Sequence, residues 1–123
     1  MAENTYRTDG VIDTFENRQS REYEIEFSAP EFTSLCPMTG QPDFGTIVVR
    51  YVPAGRCIEL RSFKYYLFSY RDRGIFYEDV VNAVLDDIVA AVKPKRATVV
   101  AEMNARGGIS ARMTATYECP GAR

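Results

Sequence analysis

Polar and apolar residues alternate strictly over residues 21–27, with Tyr23, Ile25 and Phe27 on one side and Glu22, Glu24 and Glu26 on the other. A period of two predicts a strand with one buried face. The alternation breaks at Ala29, and the 16 residues 29–44 hold Pro30, Pro37, Gly40 and Pro42. That composition reads as a loop, and loops of this length commonly carry function. Residues 46–52 are rich in β-branched types and predict a second strand, closed by a turn at 53–55 and followed by a short extended piece over 57–60. The period then changes. Phe63, Tyr66, Leu67 and Tyr70 stand at i, i+3, i+4 and i+7, one face of a short helix that ends by Gly74. Val80, Val81, Val84, Leu85, Ile88, Val89 and Val92 form the stripe of a longer helix. Its first turn is acidic, which suits the helix dipole, and Pro94 stops it. Residues 97–103 predict a third strand, Arg106-Gly107-Gly108 a turn, and 109–117 a fourth strand with Ile109, Ala111, Met113, Ala115 and Tyr117 on one side.

The order β-β-α-α-β-β predicts an α+β domain over residues 21–123, a four-stranded antiparallel sheet with both helices on one face. Residues 1–20 show no sustained period and read as a loosely ordered arm. Such a sheet leaves unpaired edges, which invite another chain. Closure of several subunits into a barrel removes them, so an oligomer is expected.

Composition narrows the chemistry. The 123 residues include no His, which excludes Ser-His-Asp and Cys-His catalysis and any His-bearing zinc site. No metal ligand set is expected. A net charge of −2 gives no basic footprint for nucleic acid. No apolar run approaches the roughly 20 residues of a membrane span, and the polar start lacks a secretory core, so the expected location is cytoplasmic. Three scattered cysteines, Cys36, Cys57 and Cys119, fit reduced thiols better than a disulfide framework.

Three segments hold candidate chemistry. In the long loop, Cys36 and Asp43 stand seven residues apart with Pro37, Gly40 and Pro42 between them. Folded back, this segment brings a nucleophilic thiol and a proton-delivering carboxyl to one pocket. It equally fits a buried cysteine in a proline-rich connection, with Asp43 capping a turn. Arg61 and Lys64 lie near the start of the first helix, where unpaired N–H groups and cations favour phosphate; a solvated basic face is the other reading. Glu78 enters the second helix after Phe76 and Tyr77, positioned either to pair with the N–H edge of a planar heterocycle or to interact with the helix dipole.

Together these segments resemble the queuosine-pathway nitrile reductases, the NADPH-dependent 7-cyano-7-deazaguanine reductases, in their single-module form. The stretches that carry the resemblance are Cys36-Pro37-x-Thr39-Gly40-x-Pro42-Asp43-Phe44, Glu59-x-x-Ser62-x-Lys64-x-Tyr66 and Arg106-Gly107-Gly108-Ile109. The resemblance implies a tunnel fold, whose subunits close into barrels that bind purine- or pterin-like rings between copies, here two stacked rings of five. It implies Cys36 as the nucleophile that forms a thioimidate with the nitrile and Asp43 as the proton donor. Ile58, Glu59, Leu60, Tyr77 and Glu78 match substrate-contacting positions. Arg61, Ser62, Lys64 and Tyr66 match the signature linked to NADPH, with Lys64 as the phosphate contact. The implied reaction reduces the nitrile of 7-cyano-7-deazaguanine to a primary amine in tRNA queuosine biosynthesis. Two positions depart from the family: Tyr77 stands where His is frequent, and Arg61 where Lys is common. An amidinotransferase that adds ammonia to the nitrile base in tRNA, and a non-catalytic ring-binding protein on the same fold, are the alternatives.

Overall fold

In the computed structural model, which describes residues 10–121, the elements run β1 (Thr14–Glu16), β2 (Ile25–Leu35), β3 (Pro42–Val52), β4 (Arg56–Ile58), α1 (Leu60–Phe68), α2 (Tyr77–Val92), β5 (Arg96–Arg106) and β6 (Ile109–Glu118). The strands β2-β3-β5-β6 form one antiparallel sheet in that order, and β1 pairs with β4 in a separate two-stranded piece. The expected α+β architecture is met. Alternate residues of the central strands, Ile47, Val49 and Tyr51 on β3 and Ala97, Val99, Ala101 and Met103 on β5, are buried in one core with both helices. The opposite face carries Thr46, Val48, Arg50, Thr98, Val100 and Glu102, all partly exposed.

Helix α2 buries Val80, Val81, Val84, Leu85, Ile88 and Val92 on the sheet. Each such side chain contributes roughly 1.5–3 kcal/mol on burial, so packing offsets the modest helix propensity of its valines. The helix ends at Lys93, in the left-handed region at φ 45°, directly before Pro94. Helix α1 buries Phe63, Tyr66 and Leu67 as expected. Among the described residues no helix is long and apolar enough to cross a membrane.

Two expectations are corrected. The loop over 29–44 is mostly strand: β2 continues to Leu35 and β3 begins at Pro42, which leaves only a tight turn over 36–41. The alternation in the sequence broke because β2 bulges between Ala29 and Phe32. Ala29 pairs with Ile47, and Phe32 pairs with Gly45. Three steps on β2 therefore oppose two on β3, and the residues facing the core change parity. The arm is corrected in part. Residues 1–9 lie outside the described residues, but Thr14–Glu16 pairs in register with Arg56–Ile58. The Asp13 N–H donates to Ser62 Oγ at 2.8 Å, and the Glu59 N–H donates to Asp13 O at 2.8 Å.

Candidate active site

The turn that holds Cys36 is closed by its own backbone. The Cys36 N–H donates to Gln41 O at 2.8 Å, and the Gly40 N–H donates to Cys36 O at 2.8 Å. Gly40 has φ 73°, a conformation that glycine adopts without steric cost. The Gln41 N–H donates to Thr39 Oγ1 at 3.1 Å. Asp43 lies directly across the ladder from Ser34. Because β2 has changed parity at its bulge, Ser34 faces the core, and Asp43 opposite it is only 3% exposed.

A second set of backbone bonds brings the helix connection to this turn. The Leu35 N–H donates to Arg73 O at 2.9 Å, and the Ile75 N–H donates to Leu35 O at 3.0 Å. This parallel bridge between Leu35 and Gly74 fixes the segment that leads into α2 beside Cys36. A cavity of about 260 Å³ results, lined by Cys36, Asp43, Tyr77, Glu78 and Arg106, with Ile75 and Phe76 as apolar wall. The structure thus brings Cys36, Asp43, Tyr77 and Glu78 together, four of the residues singled out from sequence.

Arg106 is the residue that the sequence reading left without a role. It belongs to the Arg-Gly-Gly-Ile stretch, yet nothing in that stretch says where its side chain goes. The answer is a second bulge. On the β5–β6 ladder Met103 pairs with Ala111 and Arg106 pairs with Ile109, three steps against two. Arg106 therefore falls on the same face as Met103, and its guanidinium forms an ion pair with the Asp43 carboxylate. Gly107 and Gly108, at φ 61° and 82°, close the hairpin with two positive φ values, which glycine accommodates.

The electrostatics of the cavity follow from these contacts. The Thr39 hydroxyl, and then the Met38 and Thr39 backbone, hold the Cys36 thiol below its ordinary value, against the opposing effects of burial and the Asp43 charge. Burial, then hydrogen bonding to Asp43, pushes the Tyr77 hydroxyl up. The Tyr77 phenol therefore stays protonated through the neutral range.

The remaining predicted residues lie elsewhere in the chain. Ile58 is buried, and its N–H donates to Tyr51 Oη at 2.8 Å. Glu59 caps α1: its carboxylate accepts from Ser62 N at 2.7 Å and Arg61 N at 3.0 Å. Ser62 is buried, and its hydroxyl donates to Glu59 O at 2.8 Å. Tyr66 is buried, and its hydroxyl donates to Asp87 Oδ2 at 2.6 Å and lies 2.9 Å from Tyr70 Oη. Ser62 and Tyr66, expected to touch the cofactor, present almost no surface within this chain, and their bonds fix the helix. Leu60, Arg61 and Lys64 are exposed. Leu60 and Lys64 line a separate apolar groove of about 260 Å³ with Phe27, Phe68 and Arg71. This groove and the Cys36 cavity share no residue.

Comparison with known proteins assigns the architecture. The profile of a family described as QueF-like protein matches residues 42–121. The NADPH-dependent 7-cyano-7-deazaguanine reductase of Chloroherpeton thalassium is 54% identical over 109 residues, covering 88% of this chain and 94% of that protein. The protein of the same name from Chlorobaculum tepidum is 55% identical over 108 residues, 87% of this chain and 92% of that one. A crystal structure of the archaeosine synthase QueF-Like in the apo form superposes with a TM-score of 0.70 at 24% identity, over 80% of this chain and 95% of that one, which establishes a common fold. With a family match over most of its length and relatives more than half identical to it, the chain belongs to the QueF-like family.

Proposed function

We propose that this protein is an NADPH-dependent reductase that converts the nitrile of 7-cyano-7-deazaguanine to a primary amine, with Cys36 as nucleophile and Asp43 as proton donor. The observation that carries the reading is the shared cavity in which a thiol held below its ordinary value stands with a buried carboxyl and a second acid, Glu78. The relatives' names state the same cofactor and substrate.

The residues account for the chemistry as follows. The Cys36 thiol gives its proton to the Asp43 carboxylate as the sulfur adds to the nitrile carbon, one C–N π bond opens, and the nitrogen takes that proton from Asp43. This gives a thioimidate, which splits one difficult reduction into easier steps. NADPH, when bound, supplies the hydride for each of the two reductions. Between them the C–S bond breaks and the sulfur leaves as thiolate, and the nitrogen of the imine so formed takes a second proton from solvent as it is reduced. Glu78, at the first turn of α2 and on the cavity wall, accepts hydrogen bonds from the N–H edge of the ring. Tyr77 adds a hydroxyl donor and an aromatic face. The exposed cations of α1, Arg61 and Lys64, fit the cofactor phosphates. Ser62 and Tyr66 support that surface from within, and Glu59 holds its first turn in place.

The groups on Ile58 to Tyr66 and the Cys36 cavity are separate within one chain, and β2 and β6 are open edges. We propose that a homo-oligomer, two stacked rings of five, joins them at subunit interfaces, with Glu59 and Leu60 of one copy near the ring bound by the next. Exposed Leu60, Phe44 and Ile109 are apolar surface that such contacts cover. The expected partners are thus the deazapurine and further copies of the chain, in the cytoplasm.

Intact mass spectrometry with 7-cyano-7-deazaguanine tests the reading. The expected result is an adduct of substrate mass on wild type and none on Cys36→Ala, with NADPH consumption in the wild type alone. A folded protein with no adduct and no turnover overturns it.

A further inference from the structure

The ion pair between Arg106 and Asp43 is built at some cost. It requires a bulge near the end of β5 and a Gly-Gly turn with two positive φ values, and it places a half-exposed guanidinium over an almost fully buried carboxylate. Without the bulge, Arg106 would point to the opposite face of the sheet. The same cavity wall carries Cys36. A carboxylate beside a thiol disfavours thiolate by like-charge repulsion, and a nearby cation offsets it.

We propose that Arg106 is a positioning residue of the thiol site: it holds the Asp43 carboxylate in the cavity wall and balances its charge, so that Cys36 can ionise beside it. Asp43 from β3, Tyr77 and Glu78 from α2 and Arg106 from β5 line the cavity with the sulfur, Thr39 bonds it from its own turn, and the Arg106 charge acts on Cys36. Arg106 is the cation in that set. Its removal leaves Asp43 and Glu78 as uncompensated acids in the same cavity. Arg106 touches no reacting atom in this scheme; it acts through Asp43.

The proposal deepens the reading of Cys36 as nucleophile and rests on it for its consequence in turnover. Its test does not need turnover. Iodoacetamide alkylation of the folded full-length protein, followed at the Cys36 peptide as a function of pH, reads thiolate directly. In Arg106→Gln the midpoint is expected to rise by about one pH unit, the scale of a lost neighbouring charge. Arg106→Lys, which keeps the charge, is expected to restore most of the shift. In an Asp43→Asn background, Arg106→Gln is expected to move the midpoint less. Adduct formation with the nitrile, which requires no NADPH, is expected to slow about tenfold at pH 7 in Arg106→Gln, following the thiolate fraction.

An unchanged alkylation midpoint in Arg106→Gln overturns the proposal, as does a shift of equal size with and without Asp43. A rise in the KM for NADPH with normal alkylation and normal adduct formation also overturns it and assigns Arg106 to the cofactor. If wild type forms no nitrile adduct, the functional reading fails while the alkylation comparison still decides the role of Arg106.

Discussion

At Gly45 the backbone of the Asp43 strand lies close against β5, and Gly45→Ala puts a number on that approach. A Cβ at this position would lie 2.5 Å from the Glu102 carbonyl oxygen, 2.7 Å from Met103 Sδ and 2.9 Å from Met103 Cα. The sulfur can swing away, but the carbonyl and the Cα belong to the paired strand. Ordinary non-bonded separations begin near about 3.5 Å, so β3 and β5 must part by roughly 1 Å at the pair Gly45–Met103. Overpacking of this kind costs about 1–3 kcal/mol. With a urea m-value of about 1–3 kcal/mol/M for a small protein, the midpoint should fall by about 1 M. Because self-association of the kind proposed makes stability depend on concentration, wild type and variant are compared at one protein concentration. Gly55→Ala is the control: nothing stands within 4 Å of its Cβ. Its expected change is within about 0.5 kcal/mol, as for surface substitutions. Asp43 lies two residues before Gly45, so nitrile adduct formation should also slow in Gly45→Ala. A midpoint for Gly45→Ala no lower than that for Gly55→Ala would refute the reasoning.

Other outcomes follow from single contacts. Glu59→Gln should destabilise the protein by about 1 kcal/mol at neutral pH through the weakened cap. The Ser62 N–H beside Glu59 holds its carboxyl below the usual range, so the stability it confers is complete above the unfolded value and lost as the pH falls through the lower folded one; urea midpoints of wild type and Glu59→Gln should converge in acid. Tyr66→Phe removes the bonds to Asp87 and Tyr70; Asp87 is exposed and rehydrates, so the cost in the same assay should be about 0.5–1.5 kcal/mol, with the KM for NADPH little changed because the hydroxyl is buried. Tyr77→Phe should slow adduct formation without bending the pH profile between pH 6 and 9, since a phenol raised above its usual value of about 10 does not titrate there. Tyr77→His should add an inflection at about 6.5, and a profile of the same shape as wild type in that variant would remove residue 77 from contact with the reacting groups.

The helices, the β5–β6 hairpin and the pairing of Cys36 with Asp43 were legible in the chain. Each rests on short-range periodicity, turn residues or a motif, and side-chain period is a local property. The extent of β2 was not legible, because a bulge at Pro30 and Glu31 shifts the alternation and a shifted strand resembles a loop in one dimension. The β1–β4 pair escaped for a different reason: its two strands have three residues each and lie some 40 positions apart in the chain. Glu59 and Ser62 were expected as ligand contacts; what no local pattern showed is that their polar atoms also build the first turn of α1 and bond Asp13. Arg106 was in view as part of a motif, yet only the register of β5 against β6 shows which face it occupies. The sequence by itself determined which groups are available, a thiol, several acids and cations and no imidazole. The tertiary structure decided which of them meet, because a bulge and a long-range backbone bridge, from Leu35 to Gly74, depend on hydrogen bonds between segments distant in the chain, which no local pattern records.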